Sequence, residues 1–177
     1  MPLLHNYVTM SIDFLHGFAI KRWPLLPLRL IVGFGFMEHG LAKLAKGPDA
    51  FANILQGMGV PGAHFMAWST ILVEILGGLA VILGVFITLA SLPIAAVLLV
   101  AMFTVHLPYG FSSIKLEAVT AAGPQFGPPG YEVDLLYLAC LAALVWGGPG
   151  PLAIGDLIIK RRKVRSSQSR PNLTAAA

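Results

Sequence analysis

The sequence predicts an all-α, polytopic membrane protein built as a bundle of four transmembrane helices, and three observations carry that prediction. Mean hydropathy is +0.78, with 56% apolar and only 11% charged residues, a balance outside the range of ordinary soluble domains. Four runs, at 24–45, 63–86, 88–107 and 131–148, are long enough to cross about 30 Å of hydrocarbon. None shows the ten-residue alternation of a membrane β-barrel, and lipid offers nothing to satisfy an open strand edge.

One membrane domain is expected over 23–157, with an interfacial segment at 1–22 before it and a basic tail at 158–177 after it. The stretch Leu3 to Ile20 is apolar, but no basic residue precedes it and Lys21-Arg22 follow. It reads as an interfacial helix rather than a cleaved signal. Pro24 and Pro27 fit the first turn of the helix that follows, and Trp23, Trp68 and Trp146 fall near helix ends, as in an aromatic belt. Lys160, Arg161, Arg162, Lys163, Arg165 and Arg170 follow the fourth run, while Lys21 and Arg22 precede the first. An even number of spans then puts both termini in the cytoplasm. The net charge of +4 reflects this topology and contact with anionic lipid rather than nucleic-acid binding. Residues beyond about 163 have the composition of a disordered segment. The single Cys140 allows neither a disulfide framework nor a C-x-x-C redox pair.

Ionisable residues inside the apolar runs are the candidates for function, because charge in hydrocarbon is expensive. Glu38, His39 and Lys43 lie in the first run, Glu74 midway along the second, His106 at the end of the third, and Glu132 and Asp134 at the start of the fourth. With both termini inside, segments 46–62 and 108–130 face outward. At about 1.5 Å per residue, Glu38 lies roughly 10 Å below the outer end of its helix and Glu74 roughly 16 Å below the outer start of its own. Glu38, His39, Lys43, Glu74, His106 and Glu132 are thus expected in the outer half. His39 and Lys43, four apart, share a face, with Glu38 turned about 100° away from His39. Gly33, Gly40, Gly77 and Gly78 suggest close helix contacts that bury a polar side chain. Arg29, near the cytoplasmic end, is expected to snorkel or to meet a lipid phosphate. His5, His16 and His64 fall outside the predicted core.

The pieces Arg29-Leu30 with Gly33, His39-Gly40, Lys43-Leu44, Gly59-Val60-Pro61, Glu74 to Gly78, His106-Leu107-Pro108, Gly130-Tyr131-Glu132 and the glycines of 147–150, taken in this order over about 25–157, resemble the DoxX family. The resemblance implies a four-helix inner-membrane protein of bacteria or archaea. It also implies quinone-linked redox work, as in the membrane subunit of thiosulfate:quinone oxidoreductase and in a membrane complex of redox defence. The family motif carries over at Arg29, His39, Lys43, Glu74, His106 and Glu132, with Glu38 adjacent to it. The basic tail and the Pro/Gly-rich loop 124–130 depart from the family pattern.

Histidine and carboxylate suit a quinone, which takes two electrons and two protons. His106 or His39 can donate to a carbonyl oxygen and relay protons, Glu74 or Glu38 can deliver or collect one, and Lys43 can pair with an acid or steady a reduced anion. These are the expected quinone-binding groups, together with Glu132 and Arg29. Phe34, Phe36, Phe103 and Tyr109 offer apolar walls. The sequence carries no dinucleotide fingerprint, no cysteine cluster and no c-type haem motif, so a soluble or membrane redox partner is expected to supply electrons, and the chain is expected to act as a subunit. Haem held by His39 and His106, or a metal held by Glu38, Glu74, His106 and Glu132, is disfavoured, the latter for want of Glu-x-x-His pairs. A homo-oligomer is compatible with the sequence. Two other readings stand beside the quinone subunit: a scaffold whose buried ion pairs only hold helices in register, and a small proton-coupled transporter, against which no inverted repeat is visible.

Overall fold

The computed structural model describes residues 23–155; the expected interfacial segment 1–22 and the basic tail lie outside the described residues. The elements run α1 (Leu25–Lys46), α2 (Pro48–Gly57), α3 (Ala63–Leu83), α4 (Ile87–Ala101), β1 (Leu116–Thr120), β2 (Gly123–Phe126) and α5 (Glu132–Gly147). Beyond α4 the chain continues as a π-turn, Met102–His106, and a 3-10 turn, Leu107–Tyr109. Three stretches are long and apolar enough to cross a membrane: Leu25–Lys46, Ala63–Leu83 and Ile87–Tyr109. Helix α5, at 16 residues, is shorter.

Helix α1 packs most extensively on α3, α3 on α4, α4 on α5, and α5 back on α1. The contacts are antiparallel, so α2 and the β-hairpin lie at one end, called the loop end below, and Trp23 and Gly155 lie at the other, the termini end. Each buried stripe follows helical spacing: Arg29, Val32, Gly33, Phe36 and Gly40 on α1, and Ile71, Glu74, Gly77, Gly78 and Val81 on α3. The apolar core is drawn from all four long helices: Val32 and Phe36, Val81, Ile87, Ile94 and Leu98, Leu141 and Leu144. Phe36 meets Tyr137 edge-on, with ring centroids 5.2 Å apart.

The α1/α3 seam closes on glycine. A Cβ on Gly33 would lie 2.6 Å from the Gly78 carbonyl oxygen, and one on Gly78 would lie 2.6 Å from the Gly33 carbonyl oxygen. Only residues without side chains allow backbones this close.

Helix α3 ends at Gly84, where φ is 67°. The Val85 N–H donates to the Ala80 carbonyl and the Gly84 N–H to that of Val81, which is a Schellman stop. The expected second run, to 86, therefore ends earlier, and the chain turns through Phe86, itself left-handed at φ 50°. Arg29 corrects an expectation: instead of reaching lipid or water it is 2% exposed and donates to the Pro149 carbonyl. Its Nη1 and Ala153 pack so closely on Gly84 that a Cβ there would meet either at 2.6 Å. Arg29 thus ties α1 to the α3–α4 turn and to the chain after α5.

The two segments expected to face outward, 46–62 and 108–130, carry structure. Pro48 starts α2 at a position where a missing N–H costs nothing, and Asp49 sits in its first turn. The hairpin β1–β2 is antiparallel, with a bulge between Leu116 and Ala118. It is stapled at its base by N–H groups of Gly127, Gly130, Tyr131 and Glu132 donating to carbonyls of Lys115, Ser112, Gly110 and Phe111.

Replacing Gly78 by Ala is expected to lower stability by about 2 kcal/mol through overpacking. Gly57→Ala, with nothing within 4 Å of its Cβ position, should change it by less than about 1 kcal/mol. Thermal unfolding of both variants in one detergent or nanodisc preparation checks the difference.

Candidate functional site

Two acid–base pairs bridge the seams of the helical body. Lys43 Nζ on α1 donates to both carboxylate oxygens of Glu74 on α3, at 2.7 and 2.6 Å. The Glu74 side chain is 4% exposed and that of Lys43 26%. Across the body, His106 Nδ1–H at the end of the third span donates to Asp134 Oδ2 on α5 at 2.6 Å, with side chains 26% and 5% exposed.

Both pairs lie on the loop side of apolar core residues of their own elements. Lys43 lies seven residues loopward of Phe36, Glu74 seven from Val81, His106 eight from Leu98 and Asp134 seven from Leu141, each measured to a core residue on its own helix. At 1.5 Å per residue each lies about 10 to 12 Å, roughly two turns, loopward of that residue along its own element. Lys43–Glu74 spans the α1/α3 seam and His106–Asp134 the α4/α5 seam, so the core separates a polar layer from the termini end.

Local structure explains how each residue reaches this layer. Lys43 continues the buried stripe of α1, and a Cβ on Gly40, one turn earlier, would lie 3.0 Å from Glu74 Cβ. That close passage sets the carboxylate within reach of the ammonium. Phe51 of α2 covers the ammonium from the loop end, its ring centroid 5.4 Å from Nζ. His106 depends on the π-turn. In a continuous α-helix it would lie about 80° round from Leu98, whereas the wider turn, closed by the Leu107 N–H donating to the Met102 carbonyl, rotates it back toward α5. Pro108 accounts for the turn, because its ring would clash with the carbonyl four residues earlier in an α-helix. Asp134 lies in the first turn of α5, where a negative charge meets the positive end of the helix dipole.

The other candidates lie elsewhere. Glu38 and His39 are exposed on α1. Glu132 is exposed and accepts from the Ser113 N–H at 3.0 Å, pinning the hairpin base to α5. Arg29 is fourteen residues from Lys43 along α1, about 21 Å away at the termini end. Phe36 is buried, while Phe34, Phe103 and Tyr109 are exposed. His64 pairs with Asp49 at 2.9 Å on the open surface. Among the described residues no three His, Cys, Asp or Glu side chains stand where they could hold a metal ion together. Asp134, an ionisable residue of the fourth run, is absent from the cluster expected from the sequence, although it begins the α5 stripe Asp134, Tyr137, Leu138, Leu141, Leu144, and that spacing is the available signal.

Chemically, the layer offers fixed donors and acceptors. With Nδ1–H committed to Asp134, His106 keeps Nε2 as the ring nitrogen able to take or give a proton. Glu74 is held in place by a cation that still has a proton to donate.

A helical membrane protein with buried acid–base pairs on facing helices is the class these features define. The DoxX family profile matches residues 24–107, a segment that includes Lys43, Glu74 and His106 but stops short of Asp134. The protein belongs to the DoxX family. It is 33% identical over 138 residues to a Bacillus subtilis protein named "Putative oxidoreductase CatD", covering 78% of this chain and 89% of that one. It is 28% identical over 166 residues to the "Uncharacterized membrane protein Rv3486" of Mycobacterium tuberculosis, covering 82% of this chain and 93% of the relative. An uncharacterised protein of Haemophilus influenzae is 27% identical, over 76% of this chain and 90% of its own length. No solved structure matches.

Lys43→Met should destabilise the protein by about 3 kcal/mol, because it leaves a buried carboxylate unpaired. Adding Glu74→Leu should restore most of that loss. A double-mutant cycle on unfolding free energies measures the coupling.

Proposed function

We propose that this protein is a quinone-interacting subunit of a bacterial inner-membrane oxidoreductase. In this reading α5 is a fourth membrane span, the termini face the cytoplasm, and the polar layer lies in the outer half of the membrane. The observation that carries the reading is the pair of buried acid–base bridges, Lys43–Glu74 and His106–Asp134, on the loop side of an apolar core. A quinone, when bound, supplies two-electron chemistry coupled to two protons. Its carbonyl oxygens require donors of the kind the layer provides: His106 through Nε2–H in its cationic form and Lys43 through the proton not engaged by Glu74.

The chain's own residues have separate tasks in this reading. Asp134 orients the His106 ring and steadies its cationic form. Glu74 holds or passes a proton, with its charge balanced by Lys43. Phe51 shields the ammonium from water, which strengthens the pair. Electrons come from a partner protein, in keeping with the oxidoreductase name of the Bacillus relative.

The hairpin favours a second reading, a scaffold that recruits a redox partner without binding quinone. Ile114, Leu116, Val119 and Phe126 are uncovered there, and an isolated two-stranded hairpin is marginal unless it packs on something.

One preparation separates the two. The full-length protein is purified in nanodiscs, and bound quinone is extracted and quantified by mass spectrometry in wild type, Glu74→Gln and His106→Ala, with folding followed by circular dichroism. The expected result is nearly one quinone per chain in wild type and a drop of about tenfold or more in either folded variant. A folded wild type free of quinone would transfer the reading to the scaffold.

A further inference from the structure

Lys43 has one more donor than Glu74 uses. Its ammonium carries three N–H groups, and both oxygens of the Glu74 carboxylate accept from it. The ring of Phe51 stands over Nζ, its centroid 5.4 Å away. A ligand oxygen that is to accept the remaining proton therefore has to take the place of that ring. Phe51 belongs to α2, which is held in place by little. Of the ten residues of α2 only Ala52 is buried, against five on α1 and six on α3, and few buried contacts mean a low free energy of local opening. Glycines stand on both sides of it: Gly47, at φ 97°, before α2, and Gly62, at φ 62°, before α3. Nothing lies within 4 Å of the Cβ position of either, so both have room to turn. A side-chain contact closes the corner between the two helices. His64 Nε2 in the first turn of α3 meets Asp49 Oδ1 in the first turn of α2 at 2.9 Å, with both side chains mostly exposed, and a pair so placed is weak and readily released.

We propose, on the basis of the quinone reading above, that α2 is a lid over the Lys43–Glu74 pair, hinged at Gly47 and Gly62 and latched by Asp49–His64, and that a quinone ring docks in the place Phe51 vacates. With the lid closed, the ammonium is engaged by Glu74 and by the Phe51 ring, and the pair is kept from water. With the lid open, Lys43 donates its third proton to a quinone carbonyl oxygen while its two bonds to Glu74 persist. The buried carboxylate thus keeps its counter-charge as the ligand enters. One planar apolar ring replaces another, and the carbonyl adds a hydrogen bond that Phe51 cannot make. Movement of α2 then sets the rate of entry.

The test uses the full-length chain in nanodiscs, in a Cys140→Ser background. Spin labels at Asn53→Cys on α2 and Leu76→Cys on α3, both exposed positions, should report two distances by double electron–electron resonance. The longer one should gain about threefold in population in Asp49→Asn. A single distance, unchanged in Asp49→Asn, would overturn the lid. For entry, Asp49→Cys and His64→Cys are joined by a short thiol-cleavable linker, and uptake of added decylubiquinone or menadione by chains depleted of quinone is timed. Joining should slow uptake about tenfold. Cleavage, followed by removal of the reductant, should restore it, and Phe51→Ala should speed it. Equal uptake by joined and cleaved chains would overturn the proposal. Two distances with no uptake by any form, wild type included, would instead overturn the quinone reading and the ligand assigned here while supporting the lid.

Discussion

Gly33 on α1 and Gly78 on α3 face each other without side chains, and the two helices close until backbone meets backbone. The α1/α3 ion pair at the loop end follows from that approach. Two turns further along α1, Gly40 passes over Glu74, and the next turn delivers the Lys43 ammonium to both carboxylate oxygens. A bulkier residue at either glycine would part the helices and stretch the ion pair. The pair itself adds little net stability, because desolvation offsets much of its Coulomb attraction, yet breaking one side is costly. Its value lies in holding a carboxylate at a fixed place in a water-poor setting.

The same division of labour recurs across the body. His106–Asp134 bridges the third span and α5 as Lys43–Glu74 bridges α1 and α3, with core residues Val32, Phe36, Val81, Leu98 and Leu141 on the termini side of each. At the termini end a different polar residue, Arg29, locks the α3–α4 turn to the chain after α5. Apolar packing thus fills the middle, and polar contacts set the two ends.

Much of this was legible in the sequence, because apolar length and glycine placement act locally. The spans through Arg29–Lys43 and Glu74–Gly78 follow from hydropathy, and the glycines at 33, 40, 77 and 78 marked the buried faces. Glu38, expected in the same cluster, instead stands exposed on the side of α1 opposite Gly33 and Gly40. What did not follow was pairing across elements. Asp134 is two residues from the more conspicuous Glu132, and its role appears only when the π-turn rotates His106 toward it. Arg29 was expected at lipid because nothing local announces that Pro149, 120 residues away, returns to accept from it. Helix α2 lies in the connecting segment 46–62, to which the sequence reading assigns a side but no helix, although Pro48 and Asp49 are ordinary helix-start residues.

The central claim is that the layer of Lys43, Glu74, His106 and Asp134 is where a quinone head group is held. Photolabelling of the full-length protein in nanodiscs with an azido-quinone analogue, followed by peptide mapping, addresses it most directly. Label concentrated on segments around 36–43, 70–75 and 102–107, and displaced by excess unmodified quinone, is the predicted result. Label spread along the lipid-facing residues of α1, α3 and α4, and indifferent to competing quinone, would contradict it.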